Sequence, residues 1–336
     1  MSLDNLTFKS HTITIAKEAP SLILSPWKVF DKVFASIAGY PASEFEYAYG
    51  STPLSTLTET LAIITLYLVI IFGGREVMRE RRPLELNGLF KIHNLFLSVL
   101  SAALLLLIVE QIVPQLWRDG LYHNICTYAG ASQPLVTLYY VSSPLVNVEP
   151  QVNYLVKYYE LIDTVFLMAK KKPLTFLHCY HHPATVFLCF TQLYGNTPIS
   201  WIPISLNLLV HVVMYWYYFQ AARGVKVWWK KWITKLQIMQ FVLDLGFIYF
   251  VCYDHWADVY YPWLPHIARC EGEITAAVTG CVVITSYLLL FVAFYINTYR
   301  SASRSRAAAQ KPKAGTSEKA ALSAAAARDA TTPVQT

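Results

Sequence analysis

Seven long apolar runs constrain the fold of this chain more than any other feature of its sequence. They lie near 53–74, 89–113, 150–169, 174–194, 198–220, 233–254 and 273–298. A helix of roughly 20 apolar residues is long enough to cross a hydrocarbon core about 30 Å thick. The chain is also 55% hydrophobic and only 14% charged, which is too apolar for a soluble domain of this size. The sequence therefore predicts an all-α membrane protein with seven transmembrane helices.

Basic residues are concentrated at one end of these predicted helices. The stretches after runs one, three, five and seven carry clusters of Lys and Arg, whereas the loops on the opposite side hold few, among them Arg118 and Arg269. Because basic loops stay in the cytosol, the N-terminus is predicted to be lumenal and the C-terminus cytosolic. This topology assumes that a shorter apolar run between prolines, 134–147, does not span. The acceptor sequon at Asn5 is then lumenal, where it can be glycosylated.

Composition divides the chain into three parts. Residues 1–52 are a lumenal segment, in which apolar side chains at helical spacing predict either an interfacial helix or a packed loop. These side chains are Trp27, Phe30, Phe34 and Ile37. Residues 53–299 hold the seven apolar runs. Residues 300–336 are rich in Ala, Ser, Lys and Arg, and we expect them to form a disordered cytosolic tail.

Two of the six cysteines lie in predicted lumenal loops. Because the lumen is oxidising, Cys126 and Cys270 are predicted to form a disulfide bond. The other four cysteines lie within the predicted spans and are expected only to pack. They are Cys179, Cys189, Cys252 and Cys281.

Four predicted spans each carry a polar helical face, which is costly in a membrane and usually marks function. In chain order these faces comprise Lys157, Glu160, Asp163 and Thr164; His178, His181 and His182; Asn207, His211, Met214 and Tyr218; and Thr234, Gln237 and Gln240. At a rise of 1.5 Å per residue they lie roughly 6 to 14 Å from the basic ends of their helices, so we predict one shared site. Two structural alternatives stay open. The amides and Thr234 can serve as interhelical hydrogen-bonding groups, and the Lys157 face can be a buried ion network.

Clustered histidines suit two kinds of chemistry, of which the first is metal binding. The segment HCYHH at 178–182 locally resembles the histidine boxes of membrane di-iron desaturases and hydroxylases. Those enzymes use several such boxes on the cytosolic side, whereas four of the nine histidines here are predicted to be lumenal. No metal site is therefore predicted, and a di-iron oxidase is kept as the alternative enzyme.

The second chemistry is acyl transfer. A neutral imidazole can attack a thioester to give a reactive acyl-imidazole, while a second histidine and nearby acids handle protons and charge. A coenzyme-bearing substrate would approach from the cytosol, where basic residues can hold its phosphates. A long apolar slot among the helices would take the acyl chain. A carrier or seven-helix receptor is the third class, and it would show no malonyl-dependent release of carbon dioxide.

The polar faces follow one another as KxxExxDT, HxxHH, NxxxHxxMYxYY and TxxQxxQ between Lys157 and Gln240. In this order they resemble the ELO family of fatty acid elongases, most closely its fungal members acting on saturated and monounsaturated chains. Pro173 stands where elongases of polyunsaturated chains tend to carry Gln, which disfavours such a substrate. The resemblance implies the condensing step of microsomal elongation, in which acyl-CoA and malonyl-CoA give 3-ketoacyl-CoA, carbon dioxide and CoA, without a cofactor.

The resemblance also implies a seven-helix bundle around an acyl tunnel that is closed at its lumenal end. His181 would be the nucleophile, and His211 would face it across the site as a second catalytic residue. His178 and His182 would orient groups or transfer protons. Supporting roles are expected for Lys157, Glu160, Asp163, Asn207, Tyr218, Gln237 and Gln240. CoA phosphates would be held by Lys170, Lys172, Arg223 and Lys226.

The expected surroundings of such an enzyme also follow from the resemblance. The enzyme would lie in the endoplasmic reticulum membrane. Its partners would be the ketoacyl-CoA reductase, dehydratase and enoyl reductase of the elongation cycle. A homodimer is left open, and no nucleic acid is expected. The products would be very-long-chain acyl-CoAs, which are sphingolipid precursors. Localisation rests on the resemblance alone, because the last residues read TTPVQT and carry no dilysine signal. Acyl length should depend on the lumenal halves of the last two spans, at Phe247, Ile248 and Gly280.

Overall fold

The structure is a computed structural model. It describes residues 25–44, 50, 53–127, 152–195 and 197–300. Their regular secondary structure is entirely helical, with no strand among these residues, which confirms the predicted all-α class. The Asn5 sequon, the 134–147 run and residues 301–336 of the predicted tail lie outside the described residues.

Eight α-helices make up the described part of the chain. They are α1 (Pro26–Ala38), α2 (Leu57–Val77), α3 (Asn87–Cys126), α4 (Val152–Ala169), α5 (Phe176–Tyr194), α6 (Trp201–Ala222), α7 (Lys230–Tyr260) and α8 (Ile274–Tyr295). Each predicted apolar run corresponds to one of the helices α2 to α8. A short 3-10 helix, Pro198–Ser200, leads into α6. The helices up to Phe291 belong to one compact unit.

Five of the described helices are long and apolar enough to cross a membrane. They are α2, α3, α6 with its leading 3-10 turn, α7, and α8 continued to Tyr299. Helices α4 and α5 are 18 and 19 residues long, and their charged and imidazole side chains make them less apolar. A polytopic membrane protein is the fold class that these helices support.

Helix α1 lies in the N-terminal segment, for which the sequence predicted either an interfacial helix or a packed loop. The Ser25 side chain accepts a hydrogen bond from the backbone N–H of Lys28, and Gly39 ends the helix in the left-handed conformation, at φ 84°. Glu110 of α3 binds the start of α1, because its carboxylate accepts from the Ser25 hydroxyl at 2.5 Å and from the Trp27 N–H at 2.7 Å. Phe34 is buried against the core. The fourth residue of the predicted face, Ile37, is instead half exposed.

Helix α3 is longer than its predicted apolar run. It continues past Pro114 and contains a non-helical residue at Gly120, with φ 75° and ψ 167°. After this break the helix ends at Cys126, which forms a disulfide bond with Cys270 in the segment between α7 and α8. This is the pairing predicted from the sequence. The bond ties the end of α3 to the connection between the last two helices.

Close packing of α3 against α6 forms the centre of the bundle. Ser98 of α3 is small and buried, and its hydroxyl donates to the backbone carbonyl of Val212 at 3.0 Å. Small side chains at helix contacts let two backbones approach. Helix α4 packs against α2 and α5, and α6 packs against α7. Among the helices with polar faces, α4 and α5 are therefore neighbours, as are α6 and α7.

Candidate active site

A cavity of about 670 Å³ lies among helices α3 to α8. Most of its wall is apolar. On α5 the lining residues run from His181 to Leu193, and on α8 they run from Tyr287 back to Ile274. At 1.5 Å per residue these stretches are about 18 and 20 Å long. His181 therefore lies at one limit of a long apolar cavity.

The His181 side chain is the one imidazole of the HCYHH segment that lines this cavity. Its ring packs against Tyr287, with centroids 4.6 Å apart, and against Phe291 at 5.8 Å. The hydroxyls of Thr185 and Tyr287 donate to the His181 backbone carbonyl at 2.8 and 3.1 Å. Among the described residues, no hydrogen bond engages a ring nitrogen of His181. An imidazole held in this way can act as a nucleophile.

The other two histidines of the segment do not line the cavity. His178 lies near the start of α5, with Nδ1 2.8 Å from Thr175 Oγ1. The ring of His182 stands perpendicular to that of His181, with centroids 5.4 Å apart. Their roles in orientation or proton transfer stay predictions.

A buried polar cluster joins α4 to α6 on the cavity wall. Lys157 Nζ donates to Glu160 Oε1 at 2.9 Å and to Asn207 Oδ1 at 2.8 Å. His211 Nδ1 lies 3.1 Å from Glu160 Oε1, and Lys157, Glu160 and His211 are each no more than 5% exposed. Lys157 and Asn207 line the cavity, whereas His211 and Glu160 lie behind them. Of the ion network that the sequence left open, Lys157 and Glu160 are paired here, whereas Asp163 belongs to another cluster.

The contacts of Asn207 fix the tautomer of His211. Because Lys157 donates to Asn207 Oδ1, the amide presents its NH₂ group to His211 Nε2, 3.2 Å away. His211 Nε2 therefore accepts, and in the neutral ring Nδ1 carries the proton on the side of Glu160. His211 Nε2 is hydrogen-bonded within this cluster, whereas Nδ1 lies 3.1 Å from Glu160 Oε1 without hydrogen-bond geometry among the described residues.

Asp163 belongs to a second polar cluster, which contains a residue that the sequence analysis did not single out. His93 Nε2 of α3 lies 2.6 Å from Asp163 Oδ1, and the Tyr215 hydroxyl donates to Asp163 Oδ2 at 2.7 Å. Tyr218 lies one turn further along α6, with its ring centroid 6.3 Å from that of Tyr215. The depth of the two residues in the membrane is a sequence signal that predicts this pair. His93 and Asp163 each lie six residues, about 9 Å, from the basic ends of α3 and α4.

Helix α7 contributes both predicted glutamines and one carboxylate that the sequence analysis missed. Gln237 Nε2 lies 3.5 Å from Met214 Sδ. Gln240 lines the cavity and donates to Asp244 Oδ2 at 3.3 Å. Asp244 also lines the cavity and is 1% exposed, and its Oδ1 has no hydrogen-bond partner among the described residues. Asp244 lies four residues after Gln240 and therefore on the same face of α7, and this spacing is the sequence signal that predicts Asp244 as part of the site.

The four residues predicted to hold CoA phosphates lie outside the cavity wall. Lys170 Nζ donates to Asn87 Oδ1 at 2.9 Å and lies over the ring of Phe90; burial and the nearby Lys172 lower the pKa of the Lys170 amine from its ordinary value. Arg223 donates to a neighbouring glutamine of α6 at 3.1 Å. Lys172 and Lys226 are exposed. Phosphate binding by these four residues stays a prediction.

The sequence of this chain is similar to those of known proteins. Residues 52–307 match the model of the ELO family, described as the GNS1/SUR4 family. The chain is 48% identical to "Putative fatty acid elongase 1" of Schizosaccharomyces pombe, over 90% of this chain and 87% of the relative. It is 43% identical to "Putative fatty acid elongase 2" of the same yeast, over 82% and 72%. It is 35% identical to "Fatty acid elongase A" of Dictyostelium discoideum, over 77% and 89%.

Proposed function

This chain belongs to the ELO, or GNS1/SUR4, family, and from that premise we propose that it is the condensing enzyme of fatty acid elongation. The reaction joins acyl-CoA and malonyl-CoA into 3-ketoacyl-CoA and releases carbon dioxide and CoA. The names of its relatives as fatty acid elongases support this activity. The observation that carries the proposal is His181 at one limit of a long apolar cavity, because an acyl chain fits such a cavity with its thioester at the imidazole.

His181 acts as the nucleophile in two half-reactions. In the first, its nitrogen attacks the thioester carbonyl, the carbon–sulfur bond breaks, and the CoA thiolate leaves with the imidazole proton. In the second, malonyl-CoA loses carbon dioxide, and the resulting enolate attacks the acyl carbon. The carbon–nitrogen bond then breaks, and the departing imidazole takes up a proton from water. Covalent storage lets CoA leave before malonyl-CoA binds.

The buried cluster on α4 and α6 stabilises charge during both steps. Lys157 lines the same cavity as His181. A fixed cation in a site without bulk water stabilises the oxyanion that forms at the acyl carbonyl. His211 orients Asn207 through the hydrogen bond at its Nε2, and its Nδ1 lies 3.1 Å from Glu160, which pairs with Lys157. Proton transfer by His211 itself requires that one of these contacts be given up.

The membrane setting of the reaction is part of the same proposal. All seven helices α2 to α8 span the endoplasmic reticulum membrane, with a lumenal N-terminus and a cytosolic C-terminus. The disulfide bond of Cys126 with Cys270 supports this orientation, because such bonds form in an oxidising compartment. Helices α4 and α5 span despite their polar residues, because these face one another inside the bundle. The reductase, the dehydratase and the enoyl reductase that complete the cycle act on its product, and the condensation needs no cofactor.

The experiment that tests this function uses the purified full chain with acyl-CoAs of graded length and carboxyl-labelled malonyl-CoA. We expect labelled carbon dioxide and 3-ketoacyl-CoA in equal amounts from saturated and monounsaturated substrates. His181→Ala should abolish both products and elute as a folded protein on gel filtration, while His266→Ala, a histidine outside the cavity wall, should keep wild-type turnover. Bound iron with oxygen-dependent oxidation of the acyl chain would instead indicate the di-iron alternative, and acyl-CoA binding without carbon dioxide release would indicate a carrier.

A further inference from the structure

Two cysteines face each other across the boundary between α7 and α8. Cys252 Sγ and Cys281 Sγ are 3.9 Å apart, and both residues are half-buried and line the cavity. Their position within the predicted spans indicates only a packing role. Beside them, the hydroxyl of Tyr249 is hydrogen-bonded to Thr285 Oγ1 at 2.9 Å. These two contacts, one between thiols and one between hydroxyls, are here called the α7–α8 seam.

The seam is held by non-covalent contacts in this state, although its thiols are close to bonding distance. A disulfide bond has a sulfur–sulfur distance of about 2.05 Å, so the two sulfurs need to approach by about 2 Å. Rotamer adjustment of Cys252 and Cys281 together with a small shift of the helices can supply such a movement. The hydrogen bond of Tyr249 and Thr285 lies one turn away and keeps the two helices in register.

The thiols also have a route to an oxidising compartment. The wall of the cavity extends from Cys252 and Cys281 to the exposed residues Glu271, Gly272 and Glu273. These residues directly follow Cys270, and the Glu271 N–H donates at 2.8 Å to the backbone carbonyl of Cys126, the disulfide partner of Cys270. The resemblance implied a tunnel that is closed at its lumenal end, whereas the cavity wall here includes exposed residues. Because that disulfide belongs to an oxidising compartment, a small oxidant in the same compartment reaches the thiols through this end of the cavity.

We infer that Cys252 and Cys281 are a redox modification site, at which a reversible second disulfide bond closes the α7–α8 seam. The reaction is thiol–disulfide exchange with a small disulfide. One thiolate attacks the small disulfide and releases one small thiol, and the second thiolate then attacks the mixed disulfide and releases the other. Two cysteine thiols are oxidised, one disulfide is reduced to two thiols, and the two protons pass to the leaving thiolates.

The consequence for the enzyme rests on the proposed function. Phe241 and Tyr287 pack together, and Tyr287 packs against His181. Cys281 lies about 9 Å along α8 from Tyr287, and Cys252 lies about 17 Å along α7 from Phe241. An acyl chain that extends beyond this level has to pass the seam. While the seam is non-covalent the chain passes along the open cavity, whereas the disulfide bond draws the two sulfurs about 2 Å closer and narrows the cavity at this level. Oxidation therefore lowers the longest acyl length that the enzyme elongates.

The first test measures the bond itself in the full chain, purified in detergent. The protein is incubated with 2-hydroxyethyl disulfide, the remaining thiols are alkylated, and peptides are mapped by mass spectrometry without reduction. We expect a linked pair of peptides that contain Cys252 and Cys281, and two alkylated cysteines per chain instead of the four free ones. Cys252→Ser and Cys281→Ser should each abolish the link, while Cys189→Ser, which changes another cavity-lining thiol, should preserve it. Four alkylated cysteines after oxidation, or a link to Cys179 or Cys189, would overturn the site.

The second test measures acyl length with and without oxidation. Oxidised wild-type protein should lose turnover of its longest substrates by about tenfold or more, the scale on which an apolar pocket discriminates a methylene group, and should keep turnover of the shortest. Cys252→Ser and Cys281→Ser, treated identically, should show no change. An unchanged length profile in fully linked protein would overturn the gating. If the link forms but neither redox state releases carbon dioxide from malonyl-CoA, the proposed function fails and the thiol pair stands.

Discussion

At the scale of single residues, the position of His181 distinguishes it from the other histidines of its segment. His178 and His182 share its helix but not the cavity wall, and His178 Nδ1 already lies near Thr175. The His181 ring is fixed by aromatic packing on Tyr287, which leaves its nitrogens available to a substrate. A covalent catalyst requires a side chain that is held in one orientation while its nucleophilic atom stays free of hydrogen bonds.

Covalent storage on His181 predicts a partial reaction. Mixing enzyme and acyl-CoA without malonyl-CoA should release about one equivalent of CoA and add the mass of one acyl group to the peptide that contains His181, and steady-state kinetics should be ping-pong. His181→Ala should give neither signal. Turnover with no released CoA and no adduct in the partial reaction would mean that condensation is direct, in a ternary complex.

Asp163 and His93 should stabilise the site as a coupled pair. Their atoms are 2.6 Å apart, at 16% and 4% side-chain exposure. Removing one partner leaves the other buried and polar, so the effects of Asp163→Asn and His93→Phe on stability should be non-additive, by about 1 to 3 kcal/mol in a double-mutant cycle. Thermal unfolding of the single and double variants measures this coupling.

A matched control for this cycle lies near the protein surface. His266 and Asp258 form the same type of pair at 3.5 Å, with the aspartate side chain 34% exposed. We expect their coupling to be at most about 1 kcal/mol, because solvent screens an exposed ion pair. Equal coupling in the two pairs would contradict a special role for Asp163.

At the scale of helices, the disulfide bond ties the end of α3 to the connection between α7 and α8. Cys126 closes α3 after the break at Gly120, and Cys270 lies between α7 and α8. The two residues are 144 positions apart in the sequence, so the bond restricts the unfolded chain strongly.

Loss of this bond should lower stability without removing the catalytic groups. In the loop-closure model the double variant Cys126→Ser, Cys270→Ser loses about 5 kcal/mol. We expect a lower unfolding temperature, and addition of a reductant should lower the unfolding temperature of the wild type but not that of the variant. An equal response of both proteins to the reductant would show that another bond is responsible.

At the scale of the whole molecule, the cavity determines which substrates fit. Ile248 and Gly280, two of the three positions predicted to control acyl length, line it, whereas Phe247 is not part of its wall. A Cβ atom added at Gly280 would meet only Gln192 Nε2, at 3.7 Å, which is ordinary contact. A larger side chain at Gly280 therefore projects into space that is otherwise open to the acyl chain.

Filling and enlarging this space should shift product length in opposite directions. Gly280→Leu should shorten the longest product and spare short substrates, and Ile248→Ala should allow longer products. Phe247→Ala is the matched control, for which we expect an unchanged profile. Product chromatography after reaction with graded acyl-CoAs measures the shift, and identical profiles for all three variants would place the length limit on other helices.

The sequence by itself determined the positions of the helices and the depth of each polar residue in the membrane. It also determined which helical faces carry the polar residues of the site. Apolar runs and helical spacing are local properties, so the runs correspond to α2 to α8, and His181, Lys157, Asn207 and Gln240 were all predicted from spacing and motif order. The cysteine pair 126 and 270 followed from compartment chemistry. The family resemblance, which the match to residues 52–307 confirms, came from the order of four short motifs.

Only the tertiary structure decided which faces touch and which atoms line the cavity. His93 contacts Asp163 across 70 positions of sequence, and Cys252 meets Cys281 across 29. Spacing gives the face of a helix, but not the rotation of that helix against its neighbour. That rotation is set by packing between side chains distant in sequence, which is why one predicted histidine lines the cavity and three lie outside its wall.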